Sequence, residues 1–277
     1  MRFLSLALLA FSLFAPLQAE TLRVMSFNVR MPNYVDGVNY WDSRRDLAIE
    51  MIREEAPDLI GTQELFYRQG NDIVTALPEY VWLGISRHAI FEGEHMGVIF
   101  RKDRFEIRRM GQFWLSETPD VPASMSWGVT ITRMVTWVRF LDKRTGKEFY
   151  FLDTHFAHRP QDEQARSNSA KVIADFLAKL PKEIPVVLTG DFNTTPDKEA
   201  YKTITGYLQD AWVNAAERVG PEGTFHGFRG GEKPRPRIDW ILYRAPWKVQ
   251  RMETVTMHKG EKYPSDHYPV VADFVLN

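Results

Sequence analysis

No cysteine occurs anywhere in the chain. That excludes disulfides, thiolate metal sites, thiol nucleophiles and lipid anchoring through cysteine, so any metal must be held by oxygen and imidazole. Neither sign of charge is in excess: 35 Lys plus Arg stand against 36 Asp plus Glu, a formal net charge of −1. Sequence-blind binders of long duplex DNA present a strongly basic face, and this balance does not announce one. Low-complexity tracts, internal repeats and linker-like stretches are also missing. There is no Gly-rich phosphate loop and no Gly-x-Ser-x-Gly elbow to position a serine. With no thiol either, a covalent nucleophile finds little support.

What is present begins with a segment that stands apart. Arg2 supplies a positive start, Phe3 to Ala15 is apolar, and Leu17-Gln18-Ala19 places a small residue before a cut. Residues 1–19 are expected to be a secretory signal peptide, with a single catalytic domain over 20–277 that begins at Glu20 and is secreted or periplasmic. The apolar run is too short to span a bilayer comfortably.

Beyond it, strand and helix patterns are interspersed. Alternating apolar residues from Leu22 predict a strand, and Ser43 with Asp46 predicts a capping box opening a helix whose apolar face is Leu47, Ala48, Met51 and Ile52. Pro57 stops that helix, and residues 58–64 read as a buried strand. A helix is expected over 67–77, with strands near 80–85, 96–100, 105–114, 132–141 and 148–154. Thr145-Gly146 joins the last two as a hairpin. Gln161 to Leu180 is the strongest helix, and Pro185 to Gly190 an apolar strand; further strands are expected near 237–243, 250–257 and 270–276. This order argues one α/β domain of two packed sheets covered by helices.

Polar residues gather where the apolar strands end: Asn28, Glu64, His155, Asp191 with Asn193, Asp239, and Asp266 with His267. Strand ends and the loops after them are where α/β folds place their sites. Carboxylate and amide oxygens suit a hard cation such as Mg²⁺. A carboxylate such as Asp191 can activate water, and histidines can donate to a phosphate oxygen or protonate a leaving group. Asp266 beside His267, and Asp153 near His155, are candidates to orient or charge an imidazole. Attack by metal-assisted water is the simplest reading of such a set.

Ser26-Phe27-Asn28-Val29, Thr62-Gln63-Glu64, Thr154-His155, Gly190-Asp191-Phe192-Asn193, Arg237-Ile238-Asp239-Trp240 and Ser265-Asp266-His267-Tyr268-Pro269-Val270 follow one another in a specific order. In this the chain resembles the endonuclease/exonuclease/phosphatase superfamily, whose fold is deoxyribonuclease-I-like. The resemblance implies a four-layer α-β-β-α sandwich of two mixed β-sheets flanked by helices. It implies Glu64 as principal Mg²⁺ ligand, with Asn28 beside it and Asp266 as ligand or support for its neighbour; Mn²⁺ is an alternative metal. It implies Asp191 as the group that activates or orients water, Asn193 at the phosphate, and Asp239 behind a catalytic histidine. His155 and His267 would flank the scissile phosphate, one as acid and the other stabilising charge. Phe113 to Pro119 and Gly223 to Phe228 resemble a bacterial metal-dependent hydrolase branch, similar at a distance to deadenylase-type exonucleases. Where related base-excision endonucleases carry an acidic residue two after the first Asn, this chain has Arg30, which favours a single metal and weakens an abasic-site repair reading.

Other residues have two readings each. Trp41, Trp114 and Trp127 are candidates for a cleft wall as well as for packing. Arg133 and Arg166 can clamp phosphate or pair with carboxylates, and His226 lies in a Gly-rich loop within reach of the cleft. The basic stretch from Arg229 to Arg237 is a solvated loop or a lip that attracts an anion. Where related bacterial proteins carry an Asp two after the central His, this chain has Ala157 followed by His158, which replaces a contact or lies at the surface and is left out of the site.

The expected function is an exported Mg²⁺-dependent phosphodiesterase acting on a nucleotide, oligonucleotide or lipid headgroup. The alternatives are a phosphomonoesterase or phospholipid/inositol-phosphate hydrolase on the same residues, or a catalytically retired phosphate-binding protein. No protein partner is expected, and no membrane insertion after signal removal.

Overall fold

A computed structural model describes residues 20–90, 92–231 and 236–276. The expected signal segment and part of the basic stretch, including Lys233 and Arg235, lie outside the described residues. The elements in order are β1 (Thr21–Asn28), α1 (Trp41–Glu55), β2 (Leu59–Leu65), α2 (Tyr67–Ala76), β3 (Tyr80–Leu83), β4 (His95–Arg101), β5 (Phe105–Trp114), β6 (Met134–Asp142) and β7 (Lys147–His155). Then come α3 (Glu163–Lys179), β8 (Val186–Asp191), α4 (Glu199–Thr205), β9 (Gln209–Asp210), α5 (Ala211–Asn214), β10 (Glu217–Val219), β11 (Asp239–Arg244), β12 (Lys248–Thr254) and β13 (Val270–Val275).

The strands form two mixed sheets, one ordered β10-β12-β13-β1-β2-β4-β3 and the other β5-β6-β7-β8-β11-β9. Strand periodicity explains the layers, because successive side chains point to opposite faces. In β1, Leu22 and Val24 enter the core between the sheets with Phe100, Phe140, Phe149 and Phe151. Met25 and Phe27 point the other way, against Trp41, Ala48, Ile49 and Ile52 of α1. The second sheet repeats the pattern, with Val187 between the sheets and Leu188 outward against Ala170, Ile173 and Leu177 of α3. Each such fully buried aliphatic or aromatic side chain contributes about 2 kcal/mol of burial. The expected four-layer α-β-β-α sandwich of two mixed sheets flanked by helices is the architecture observed.

One local expectation is corrected. The first helix opens at Trp41 on Tyr40, whose carbonyl accepts from Ser43 N–H, so Ser43 lies inside the helix and caps nothing. The preceding 3-10 turn, Tyr34–Asn39, delivers the chain one turn early. The short α4 and α5 carry too little periodicity to be read from sequence. The Thr145-Gly146 hairpin is as expected, with Gly146 at φ +70°.

Candidate active site

The residues singled out at strand ends converge because of strand direction and register. β1 runs parallel to β2 and β7 parallel to β8, so Asn28, Glu64, His155 and Asp191 leave the two sheets at the same edge of the sandwich. β11 enters antiparallel there, and the register sets Asp191 opposite both His155 and Asp239. Asp266 and His267 arrive on the loop before β13, where Phe225 bridges to His267. Packing of Gly190 on the Thr154 carbonyl leaves no room for a Cβ, which would sit 2.7 Å from that oxygen.

Three cleft residues hold left-handed backbone: Arg30 at φ +55°, Glu64 at φ +59° and Asn193 at φ +49°. Such conformations cost about 1 kcal/mol or more in non-glycine residues and gather at functional sites. At Glu64 the cause is visible. The pairing of β2 with β4 slips between Thr62 and Leu65, a bulge that re-aims the side chain toward the cleft.

The cleft has a volume of about 400 Å³ and is lined by Arg30, Glu64, Arg87, Glu94, Arg133, His155, His158, Asp191, Asn193, Phe225, Asp266 and His267 among others. Asn28 lies beneath its floor. Its Nδ2 donates to Asp191 Oδ2 at 3.0 Å and to Glu64 Oε1 at 3.3 Å, while its Oδ1 accepts from Arg30 N–H at 3.0 Å. Asn28, expected beside Glu64 as a metal ligand, bridges two carboxylates through its Nδ2, and its amide oxygen accepts one hydrogen bond and keeps a second lone pair. Glu64 Oε2 accepts from Met31 N–H at 3.0 Å.

Asp191 is almost fully buried. Its Oδ1 accepts from Asn193 N–H at 3.0 Å, and its Oδ2 lies 3.3 Å from His155 Nε2 and 3.8 Å from His267 Nε2. Burial first, then the neighbouring Asp239, push its carboxyl up to about 7. His267 Nδ1 lies 2.9 Å from Asp239 Oδ2. Burial disfavours the charged ring, but Asp239 and Asp191 outweigh it and raise His267 to about 10. His155 behaves oppositely: burial, then Arg133 and Arg87, hold it well below the usual imidazole range. Its Nδ1 has no hydrogen-bond partner among the described residues. One imidazole is therefore a cation and the other neutral.

A further orienting residue, Thr224, escaped the sequence reading as a site residue. Its hydroxyl donates to Asp239 Oδ2 and accepts from Ile238 and Asp239 N–H. Arg87, Glu94, Arg133 and His158 also line the cleft. A signal for Thr224 existed in the Gly223 to Phe228 run, and one for His158 in its place just after the Thr154-His155 motif; Arg87 and Glu94 had none beyond residue type.

Several expected candidates fall elsewhere. Asp153 does not touch His155: its Oδ1 accepts from Gln63 Nε2 and Thr189 Oγ1, each at 2.7 Å, between the sheets. Asp266 does not orient His267, a task that falls to Asp239, but its charge helps to raise that imidazole; its Oδ2 faces Arg30 Nε at 3.8 Å. Trp41 and Trp114 are core residues. Arg166 is spent on Glu163 and the Ala157 and Arg159 carbonyls. His226 stacks on Tyr268 at 4.0 Å, and Arg237 pairs with Asp210 at 2.8 Å.

Two donor sets can hold a cation. Ligand atoms of Asp191, Asp239 and His267 lie within 4.8 Å of one another. Glu64 and Asp266 offer hard oxygens at the other side of the cleft. There Arg30 stands 3.9 and 3.8 Å from them but is hydrogen-bonded to Asp36 at 2.8 and 2.9 Å. The second set fits a hard divalent cation: its donors are oxygens, and the guanidinium facing them is anchored on another carboxylate.

This fold and this edge of carboxylates and imidazoles define a hydrolase of phosphate esters: the chain belongs to the Endonuclease/Exonuclease/phosphatase family, whose model matches residues 25–267. The family is metal-dependent. Among solved structures, an endonuclease/exonuclease/phosphatase family protein from Bacteroides thetaiotaomicron is 33% identical, with 94% of this chain and 99% of that one covered at a TM-score of 0.88. The mannosyl-6-phosphatase Bt3783 of the same organism is 34% identical, with 92% and 100% covered and a TM-score of 0.86. Nocturnin of Drosophila melanogaster is 20% identical; 95% of this chain matches, spanning 48% of that protein's length.

Proposed function

We propose that the protein is an exported, Mg²⁺-dependent phosphoesterase that hydrolyses its substrate by direct attack of water activated at Asp191. The observation that carries this reading is the geometry around Asp191, whose Oδ2 lies 3.3 Å from His155 Nε2, 3.8 Å from His267 Nε2 and 3.0 Å from Asn28 Nδ2 at the wall of the cleft, with its carboxyl pushed up by burial. General bases work best when their pKa lies near the operating pH.

Glu64 and Asp266 would hold the cation, which supplies positive charge at the phosphate and its leaving oxygen. The remaining work belongs to the chain. Asp191 Oδ2 accepts the proton of the attacking water. Asn28 and the Asn193 N–H fix the two Asp191 oxygens, and neutral His155 donates to it through Nε2. Cationic His267, held by Asp239 at Nδ1, presents Nε2–H to a phosphate oxygen and stabilises the charge that grows there. The Asn193 side chain, whose Nδ2 donates to the Phe156 carbonyl at 3.2 Å, borders the same space.

These groups recognise a phosphate and treat diester and monoester alike, so the expected diesterase and its monoesterase alternative share one machinery. The retired-binding-protein alternative loses its ground because no member of the set is missing. Support for a phosphatase comes from the mannosyl-6-phosphatase likeness over nearly the whole chain. Export rests on residues 1–19 alone. The reading is tested by hydrolysis of bis-(p-nitrophenyl) phosphate and p-nitrophenyl phosphate. EDTA should abolish turnover and Mg²⁺ restore it; turnover that survives EDTA would contradict the reading.

A further inference from the structure

Arginines with less than a tenth of their surface exposed are costly to bury and normally carry their compensation with them. Five of the six such arginines among the described residues do. Arg44 donates to the carbonyls of Val29, Arg30, Asn39 and Pro264. Arg104 pairs with Asp58 and Asp142, Arg166 with Glu163, Arg237 with Asp210, and Arg87 with Glu94 at 2.6 Å.

Arg133 differs. It is 5% exposed and borders the catalytic cleft beside His155 and Asp191. Among the described residues no carboxylate pairs with it: Nε and Nη1 have no hydrogen-bond partner, and Nη2 meets only His158 Nδ1 at 3.3 Å. Glu94 is near but is engaged by Arg87. A buried cation with two idle donors at the wall of a phosphate site is compensated when an anion arrives.

We infer that Arg133 is a substrate-recognition residue placed to meet an anionic oxygen of a terminal phosphate, and that the substrate is a phosphomonoester. This rests on the phosphoesterase reading above and goes one step further, to substrate class. The count of contacts decides it. A diester has two non-bridging oxygens and a monoester has three. The cleft offers three separate points of attraction: the Glu64–Asp266 side, where a cation would sit; His267 with Asn193; and Arg133. A terminal phosphate also carries a charge of about −1.5 to −2 near pH 7, so a third cationic contact is matched by charge as well as by number.

The test compares wild type, Arg133→Met and Arg133→Lys with Mg²⁺ on p-nitrophenyl phosphate and bis-(p-nitrophenyl) phosphate. Wild type should prefer the monoester. Arg133→Met should lose roughly 100-fold in kcat/KM on the monoester, as for removal of a single donor to reacting oxygens. On the diester it should lose less than about fivefold, because that ester lacks the third oxygen. Arg133→Lys should recover part of the monoester rate. Inorganic phosphate provides a readout without turnover. In EDTA it should raise the melting temperature of wild type clearly more than that of Arg133→Met. The variant's own melting temperature should not fall, since an unpaired buried charge has been removed.

Equal loss on both esters, an unchanged ratio, or a wild-type preference for the diester would overturn the assignment while leaving the hydrolase reading intact. If wild type hydrolyses neither ester yet phosphate still stabilises it through Arg133, the hydrolase reading fails and the recognition role stands.

Discussion

Asp239, the first residue of β11, and His267, on the loop before β13, form one ion pair: Oδ2 lies 2.9 Å from Nδ1, and the same carboxylate oxygen accepts from Thr224. Asp239, with Asp191, raises His267 to about 10, and it adds to the burial that pushes Asp191 up to about 7. Asp239→Asn should therefore move both limbs of the metal-loaded pH–kcat/KM profile toward acid. The basic limb falls because the imidazolium loses its counter-charge, the acidic limb because Asp191 loses a like-charged neighbour. A profile that drops in height without shifting would contradict this.

The same pair gives a stability signature. The folded-state pKa of His267 lies above its ordinary value of 6.5, so its contribution is fully present below pH 6.5 and is lost as pH rises through about 10. Thermal melts of Asp239→Asn should show a deficit on the order of 2 kcal/mol near pH 6, shrinking toward pH 10. A deficit that grows with pH would be the wrong sign.

Asp153 offers a control away from chemistry. It is fully enclosed between the sheets, and burial pushes its carboxyl well above the usual range. Asp153→Asn retains the acceptor toward Gln63 and Thr189, so stability should change by less than about 1 kcal/mol and activity should survive. Gly61→Ala should behave very differently, because its Cβ would sit 1.9 Å from Thr189 Oγ1 and 2.4 Å from Asp153 Oδ1. Overpacking of that kind costs about 3 kcal/mol or more, measurable by urea denaturation.

Glu64 is expected to dominate cation binding. Glu64→Gln keeps an acceptor for Met31 N–H but removes the charge. Calorimetric titration with Mg²⁺ should show affinity weakened at least about tenfold, with the fold unchanged. Equal affinity in variant and wild type would move the cation to the Asp191–Asp239–His267 set.

The site was legible because polar side chains interrupt apolar strands at their ends, and parallel pairs bring those ends to one edge. Asn28, Glu64, His155, Asp191, Asn193, Asp266 and His267 all lie at the cleft or directly beneath it, with Asp239 one contact behind His267. Detail failed where tertiary contact chose among equals. Asp153 and His155, two apart on one strand face, stand about 6.5 Å apart along the strand, and Asp153 is claimed by Gln63 from the facing sheet. Arg87 reaches the cleft from a segment whose local pattern carries no trace of it, while His158, three residues after His155, was open to either reading until the fold placed it there. Arg133, read from sequence with two roles open, is settled at the cleft only by the fold. Ser43 has the right residue type for a cap, but a 3-10 turn ahead of it decides where the helix starts.

The most direct test of the account is Asp191→Asn, assayed with saturating Mg²⁺ alongside wild type. The substitution removes the proton acceptor and relieves a buried carboxyl that burial already disfavours. The account predicts a fall in kcat of about 10³-fold or more, with the fold and Mg²⁺ binding retained. A variant that folds, binds Mg²⁺ and still turns over within about tenfold of wild type would contradict the assignment of Asp191 as the water-activating base.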